Sequence, residues 1–272
     1  MLSWNKGKVI KELKKKAKKL KHSPSRSEIP MNLYGASRHY FGSLNKAKKA
    51  AGLKIEKLKY NPIKKSAYKP SKDFAYVLGV IYGDGSYNLT ENKHGSSGRV
   101  YLEVKDQDFA LSFKRILEKW SGLKAKYKQK KDFHKISFHS VDACRIFNEF
   151  ALERVKYLHR GLQHKFLQGL FDSDGGIIGK NLTKRKYAKR WIHFSNNNRE
   201  LIKLVENVLQ KLKIKYSIAK RIHSGFNSKK WQYELRIYNQ EGINKYAQYV
   251  GFSIKRKQKK LKEVIASYDR KL

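Results

Sequence analysis

Cysteine is almost absent from this sequence: Cys144 is the single one among 272 residues. One cysteine allows no intrachain disulfide and no zinc site built from cysteine pairs. The chain also contains no apolar run that approaches the roughly 20 residues of a membrane-spanning helix. We therefore expect a soluble, intracellular protein without membrane contact, in the cytoplasm or in an organelle.

Acidic residues are scarce as well. The chain has 22 Asp and Glu against 63 Lys and Arg, which gives a formal net charge of +41. Hydrophobic residues still make up 40% of the sequence, enough for a folded core. Since an excess of one charge this large repels itself unless a polyanion neutralises it, the composition predicts a nucleic-acid partner rather than a membrane.

The composition changes along the chain. Residues 1–53 hold 14 Lys and Arg but only two acids, and apolar residues such as Val9 and Leu13 recur there at helical spacing. This pattern predicts a small all-α module. Residues 54–72 are basic and interrupted by prolines, Pro62 and Pro70, which predicts a basic linker.

From residue 73 onward the sequence repeats itself. Residues 73–160 and 161–272 each predict the order helix, strand, strand, helix, strand, strand, helix. The strands alternate apolar and polar residues, as in 101–105, so one sheet face should be buried and the other polar and basic. We therefore predict an α+β fold: a duplicated αββαββα domain whose two antiparallel sheets form a saddle for a duplex.

The first helix of each copy ends in a similar segment, at 78–85 and at 167–175. Small residues recur four apart in both segments and share one helix face, so we expect the two helices to pack with their backbones close together. The predicted helix-packing residues are Gly79, Gly83, Gly169 and Ser173.

An aspartate stands at the end of each of these helices, Asp84 in the first copy and Asp174 in the second. A carboxylate in the last turn lies at the negative end of the helix dipole, and two of them side by side repel each other. A divalent metal between them would resolve this conflict. A single Asp-Gly turn could simply end a core helix, but its duplication favours a functional role.

Both segments resemble the LAGLIDADG motif, and the chain from about Asp73 to Asp269 resembles the double-motif LAGLIDADG homing endonucleases. The N-terminal module, with Trp4 and the Phe41-Gly42-Ser43 turn, is similar to a helical repeat found beside some of these enzymes. The resemblance implies a pseudo-two-fold monomer that cuts both strands of a specific DNA site. It also implies that Asp84 and Asp174 bind Mg²⁺, with Mn²⁺ as a substitute, each serving one strand.

The resemblance points to three further catalytic side chains. Lys257 lies in a lysine-rich segment before the closing helix, where the family carries a basic residue. Lys105 and Asn196 lie at the end of the second strand of their copies, where the family places a polar residue facing the metals. The alternative for the two lysines is that they are ordinary phosphate contacts.

Two other functions fit the same fold: an RNA-binding maturase acting on its own intron RNA, and a DNA-binding regulator. Retention of both acids favours the endonuclease, because a protein that only binds gains nothing from two negative charges facing phosphates. Base preference should depend on the open sheet faces and on predicted loops at 88–98 and 180–189.

Overall fold

The chain forms two compact units, Met1–Tyr60 and Asn61–Leu272. The computed structural model describes residues 4–55, 62–92, 95–183, 188–225 and 228–269. Among the described residues, no helix combines the length and the apolar composition that crossing a membrane would require.

The first unit is helical, which confirms the predicted all-α module. Its elements are α1 (Lys6–Leu20), a 3-10 turn (Arg26–Glu28), α2 (Met31–Phe41) and α3 (Leu44–Ala50). The Asn5 side chain caps α1 by accepting a hydrogen bond of 2.8 Å from the backbone N–H of Lys8. Val9 and Leu13 face a small core with Leu33 and Ala47, while most lysines of α1 face solvent.

Part of the predicted linker is not a linker. Ile63 and Ala67 are buried in the core of the second unit. The backbone N–H of Lys64 donates to the carbonyl oxygen of Ser121 over 2.8 Å, and the indole N–H of Trp120 donates to that of Ala67 over 3.2 Å. The prolines do stop an α-helix here, but the apolar residues between them anchor the chain to the domain. Residues 56–61 of the predicted linker lie outside the described residues.

The second unit contains the predicted repeat. The first copy comprises α4 (Lys72–Tyr82), β1 (Gly85–Asn92), β2 (Gly95–Val104), α5 (Gln107–Ser121), β3 (Lys126–Lys130), β4 (Phe133–His139) and α6 (Val141–Glu149). After a short α7 (Leu152–Val155), the second copy comprises α8 (Arg160–Ser173), β5 (Gly175–Lys180), β6 (Lys189–Asn196), α9 (Arg199–Lys211), β7 (Ser217–Gly225), β8 (Ser228–Ile237) and α10 (Gln240–Tyr249). The closing helix is α11 (Lys255–Ala266). The predicted element order is confirmed in both copies.

Each copy folds into one antiparallel four-stranded sheet, with strand orders β1-β2-β4-β3 and β5-β6-β8-β7. Equivalent registers show the duplication: Gly85 pairs with Leu102, and Gly175 pairs with Phe194. Leu102 and Phe194 are buried on the helix side, whereas the residues alternating with them form an open, polar face. The duplicated α+β fold is thereby confirmed. The predicted loop at 88–98 is instead strand through Asn92 and again from Gly95.

Candidate active site

Helices α4 and α8 cross at their small residues. A Cβ added to Gly79 would overlap the backbone carbonyl of Phe166, and one added to Gly169 would overlap that of Tyr76. Near the ends of the helices, a Cβ on Gly83 would overlap the side chain of Ser173. The four predicted packing residues therefore lie at the helix contact, and their small size is what brings the two helix ends together.

This crossing places Asp84 and Asp174 next to each other at the start of their sheets. Asp174 is the C-terminal cap of α8, with its N–H donating to the carbonyl of Leu170 over 2.9 Å. Burial and the charge of Asp84 raise the pKa of Asp174 to about 6. Burial likewise raises the pKa of Asp84, although the ammonium of Lys257 opposes this shift. The two carboxylates thus form a mutually repelling pair, with Asp174 partly buried and Asp84 more exposed.

Each aspartate opens onto a pocket beside its own sheet. Asp84 lines a pocket of about 350 Å³ together with Lys105 and Lys257. Asp174 lines a pocket of about 550 Å³ on the open face of the second sheet, together with Arg221 and Glu234. The arrangement leaves room for a phosphate or a hydrated ion at either carboxylate.

Asn196 and Lys105 both lie near the pair, but they are not equivalent residues. The Asn196 amide donates to the Asp174 carboxylate over 2.8 Å, which orients that carboxylate. The strand register and the helix caps match Asn196 with Val104, so Lys105 corresponds to Asn197. The family resemblance assigns Lys105 and Asn196 to one position, and the structure shifts it by one residue. Asp84 therefore lacks the amide neighbour that Asp174 has at this position.

Lys257 lies beneath the pair, with only 9% of the residue exposed. Its ammonium donates to the backbone carbonyl oxygens of Phe171, Asp172 and Gly175 over 3.0, 2.6 and 2.7 Å. Burial lowers the pKa of Lys257 to about 8, although nearby carboxylates oppose the shift. Since an ammonium has three donors, these bonds account for its full capacity. The Lys257 side chain therefore caps the C-terminal end of α8, next to Asp174.

Asp172 is a residue of the site that the family resemblance did not assign. Its buried carboxylate accepts hydrogen bonds from the Tyr76 hydroxyl of α4 over 2.9 Å and from the Ser253 hydroxyl over 2.5 Å. Burial raises its pKa, and these hydrogen bonds counteract the shift. Asp172 therefore ties α8 both to α4 and to the segment that leads into Lys257. A sequence signal existed, because the matching residue in the first copy is Tyr82 rather than an acid.

The two aspartates fit a divalent cation by their charge and position. Each raises the energy of the other when ionised, and a cation between or beside them would remove that cost. The described part of the chain contains no cluster of three or more His, Cys, Asp or Glu residues suited to a metal. Two carboxylates suit Mg²⁺, which commonly takes one or two carboxylates and completes its shell with water and substrate phosphates.

Comparison with known proteins agrees with this geometry. Residues 161–251 match the LAGLIDADG-like domain, and residues 4–54 match the homing endonuclease associated repeat. The second half of this chain is thus similar to the LAGLIDADG-like domain. The matched residues belong to the second copy. The first copy has the equivalent strand order, so both copies share this fold.

Two proteins of Methanocaldococcus jannaschii are similar in sequence. Uncharacterized protein MJ0314 is 31% identical over 164 residues, which cover 57% of this chain and 60% of that protein. Uncharacterized protein MJ0398 is 26% identical over 223 residues, which cover 77% of this chain and 79% of that protein. The chain thus spans about 60% of the length of the first relative.

Among solved structures, the LAGLIDADG fold is shared with the homing endonuclease I-DmoI. The structure of I-DmoI in complex with DNA and Ca has a TM-score of 0.52 at 19% identity, covering 73% of this chain and 99% of that one. The complex with DNA and Mn has a TM-score of 0.51 at 21% identity, covering 67% of this chain and 97% of that one. At these identities the likeness concerns the fold.

Proposed function

We propose that this protein is a site-specific double-strand DNA endonuclease that uses a divalent metal, Mg²⁺ with Mn²⁺ as a substitute. The observation that carries the proposal is the pair Asp84 and Asp174, held together at the ends of two crossing helices, each lining a pocket beside its own sheet. Similar structures of I-DmoI are complexes with DNA and Mn or Ca, which supports both the substrate and the metal class.

Asp84 and Asp174 would hold the metal, each at the centre that serves one strand. When bound, the ion would supply a water molecule of lowered pKa and stabilise charge on the phosphate. The protein's own residues prepare this site: Asn196 orients the Asp174 carboxylate and Lys257 fixes the end of α8. Lys105, exposed in the pocket of Asp84, is placed to attract a phosphate on that side.

The remaining charge would bind the duplex. The open sheet faces carry the base contacts, and the lysine-rich first unit binds phosphates that flank the central site. Because both centres are built from one duplicated chain, we propose that a monomer cuts both strands. A protein that only bound RNA or DNA would gain no advantage from the repulsion between two neighbouring carboxylates, so the pair favours the endonuclease over the maturase and the regulator.

The test is cleavage of a plasmid library with randomised inserts, followed by sequencing of the new ends. With Mg²⁺ or Mn²⁺ we expect double-strand breaks at one sequence family, and none in EDTA. Asp84→Asn should lower double-strand cleavage by at least about 10²-fold without weakening binding, because it removes a charge that repels phosphate.

The matched control is Asp269→Asn, which removes the same charge from a residue outside the site and should leave cleavage unchanged. Full cleavage by the double variant Asp84→Asn, Asp174→Asn in Mg²⁺ would rule out the proposed centre. Sequence-specific DNA binding without cleavage in any metal would instead favour the regulator.

A further inference from the structure

Glu234 is an unusual residue on the open face of the second sheet. It lies on β8, its side chain is 16% exposed, and it is clamped between two arginines. Arg221 on the neighbouring β7 contacts one carboxylate oxygen through Nε at 3.0 Å, and Arg236 contacts the other oxygen through Nε at 2.7 Å. One acid thus orients two guanidinium groups on a face proposed to meet DNA.

A carboxylate is costly on such a face if phosphates approach it. Burial alone would raise the pKa of Glu234, but the hydrogen bond from Arg236 and the charges of both arginines hold it below its ordinary value. The carboxylate is therefore ionised at neutral pH and would repel a phosphate. This favours a position where the edge of a base, rather than the DNA backbone, meets the protein.

The two arginines are held in different ways. Arg236 is 30% exposed and lies over the Trp191 ring at 5.0 Å from its centroid, so its plane is fixed by stacking as well as by Glu234. Arg221 is 54% exposed and lines the pocket that contains Asp174. Since Glu234 contacts Arg221 at Nε, the two Nη groups at the end of its guanidinium can face outward.

Two Nη groups in one plane match the O6 and N7 acceptors that guanine presents in the major groove. Gln232, the cross-strand partner of Arg221, and Ser195, the partner of Glu234, line the same pocket and add hydrogen-bonding groups beside it. The pocket combines one exposed guanidinium, fixed by the partly buried Glu234, with neutral polar groups, and Asp174 also lines it. This is the chemistry of base recognition rather than of charge neutralisation alone.

We propose that Arg221 reads a guanine in the half-site bound by the second sheet, and that Glu234 is the positioning residue that fixes its guanidinium. The inference rests on the proposed function, because it assumes that this face meets double-stranded DNA. The first sheet has no equivalent clamp among its described residues: the residue matching Glu234 is Lys135, which pairs with Glu103 at 3.0 Å in a half-exposed ion pair.

The experiment is selection of randomised DNA duplexes by the full chain in EDTA, where bound sequences are read out without cleavage. For the wild type we expect a guanine preference within one half-site. Arg221→Lys, which keeps the charge but loses the planar fork, should lower that preference by about 5- to 150-fold while changing total affinity little. Glu234→Gln should lower the same preference and strengthen binding to unrelated duplexes, because it removes a negative charge.

Two controls separate a positioning role from a general loss of charge or of folding. Glu263→Gln removes an exposed acid of α11 and should leave the sequence profile unchanged, while Glu103→Gln should alter only the other half-site. Thermal unfolding checks that each variant is folded. Adding Glu234→Gln to Arg221→Lys should cause no further loss of guanine preference, since both act through one contact.

The outcomes are distinct. No sequence preference in the wild type would refute the proposed function itself. A wild-type preference that survives Glu234→Gln and Arg221→Lys would refute only the guanine contact. If Arg221→Ala weakens binding to all sequences equally and reduces the salt slope by about one unit, Arg221 is a phosphate contact and the inference is wrong.

Discussion

At the scale of single residues, Lys257 is held by backbone carbonyl oxygens although it also lines the pocket of Asp84. The family resemblance assigns it a catalytic role, yet its three donors are directed at backbone carbonyls at the end of α8. A cation at the C-terminus of a helix satisfies carbonyls that have no partner in the helix and favourably opposes the dipole. We therefore propose that Lys257 is a positioning residue for Asp174.

This assignment predicts that Lys257→Met destabilises the protein even without DNA or metal. Leaving buried carbonyls without a donor should lower the free energy of unfolding by about 1–3 kcal/mol, measured by denaturant titration in EDTA. Single-turnover cleavage should fall by about 10²-fold with little change in DNA affinity, because Asp174 loses its placement.

The matched control is Lys260→Met, which removes an exposed lysine that pairs with Glu263 on the same helix. We expect it to change stability by less than about 0.5 kcal/mol. If Lys257→Met is as stable as the wild type but cleaves slowly, the ammonium acts directly on water or phosphate. Normal stability together with normal cleavage would remove it from the site.

The residues that sequence alone could identify are those that the duplication repeats. Asp84 and Asp174 stand out because each occupies the same unfavourable place in its copy, so one is evidence for the other. The partners of Asp172 and Lys257 could not be predicted, since they join residues more than 80 positions apart. Lys105 and Asn196 are not equivalent because of the strand register. A sequence pattern predicts the end of a strand only to within a few residues, so it could not show this difference.

At the scale of elements, the crossing of α4 and α8 sets the distance between the two carboxylates. Both helices approach backbone to backbone, and the missing Cβ atoms at Gly79 and Gly169 are what permits this. The contact is between main chains, so no side-chain rotation can relieve an added methyl group. A larger residue at Gly79 or Gly169 must therefore push the two helices apart, and this also moves Asp84 away from Asp174.

Gly169→Ala should therefore lower the free energy of unfolding by more than about 2 kcal/mol, because it forces overpacking of the helix contact. The cleavage rate of the remaining folded protein should also fall, because Asp84 and Asp174 move apart. Denaturant unfolding and single-turnover rates measure the two effects. The matched control is Gly161→Ala in the first turn of the same helix, where an added Cβ makes only ordinary contact at 3.6 Å with His159.

In that control, alanine should be neutral or should stabilise by up to about 1 kcal/mol, following its higher helix propensity. Equal stability of the two variants would contradict the proposed role of the helix contact.

Helix and strand order could be predicted from the repeated pattern. The role of residues 62–71 could not, because isolated apolar residues such as Ile63 and Ala67 do not reveal which core they join.

At the scale of the whole molecule, the chain is divided into a basic helical unit and a unit that contains the proposed catalytic centre. The second unit has its own continuous core, and the first has a small core built from three helices. Since 14 basic residues and two acids lie in residues 1–53, this region should contribute to DNA binding mainly through phosphates. The sequence pattern predicts a helical module over 1–53 and a linker over 54–72, whereas the two compact units divide the chain after Tyr60.

Deletion of residues 1–60 should weaken DNA binding and flatten its salt dependence without moving the cleavage site. The slope of log K against log salt should fall by about 0.9 for each phosphate that the shortened protein no longer neutralises. A matched full-length variant replaces four exposed lysines of α1 with glutamine, Lys11, Lys14, Lys15 and Lys18, and should reproduce part of the change in slope with the fold intact. Because Asp84, Asp174 and both sheets lie in the second unit, the sequenced ends should be identical for all three proteins. An unchanged salt slope would mean that the first unit does not bind phosphates, and altered ends would mean that it takes part in choosing the site.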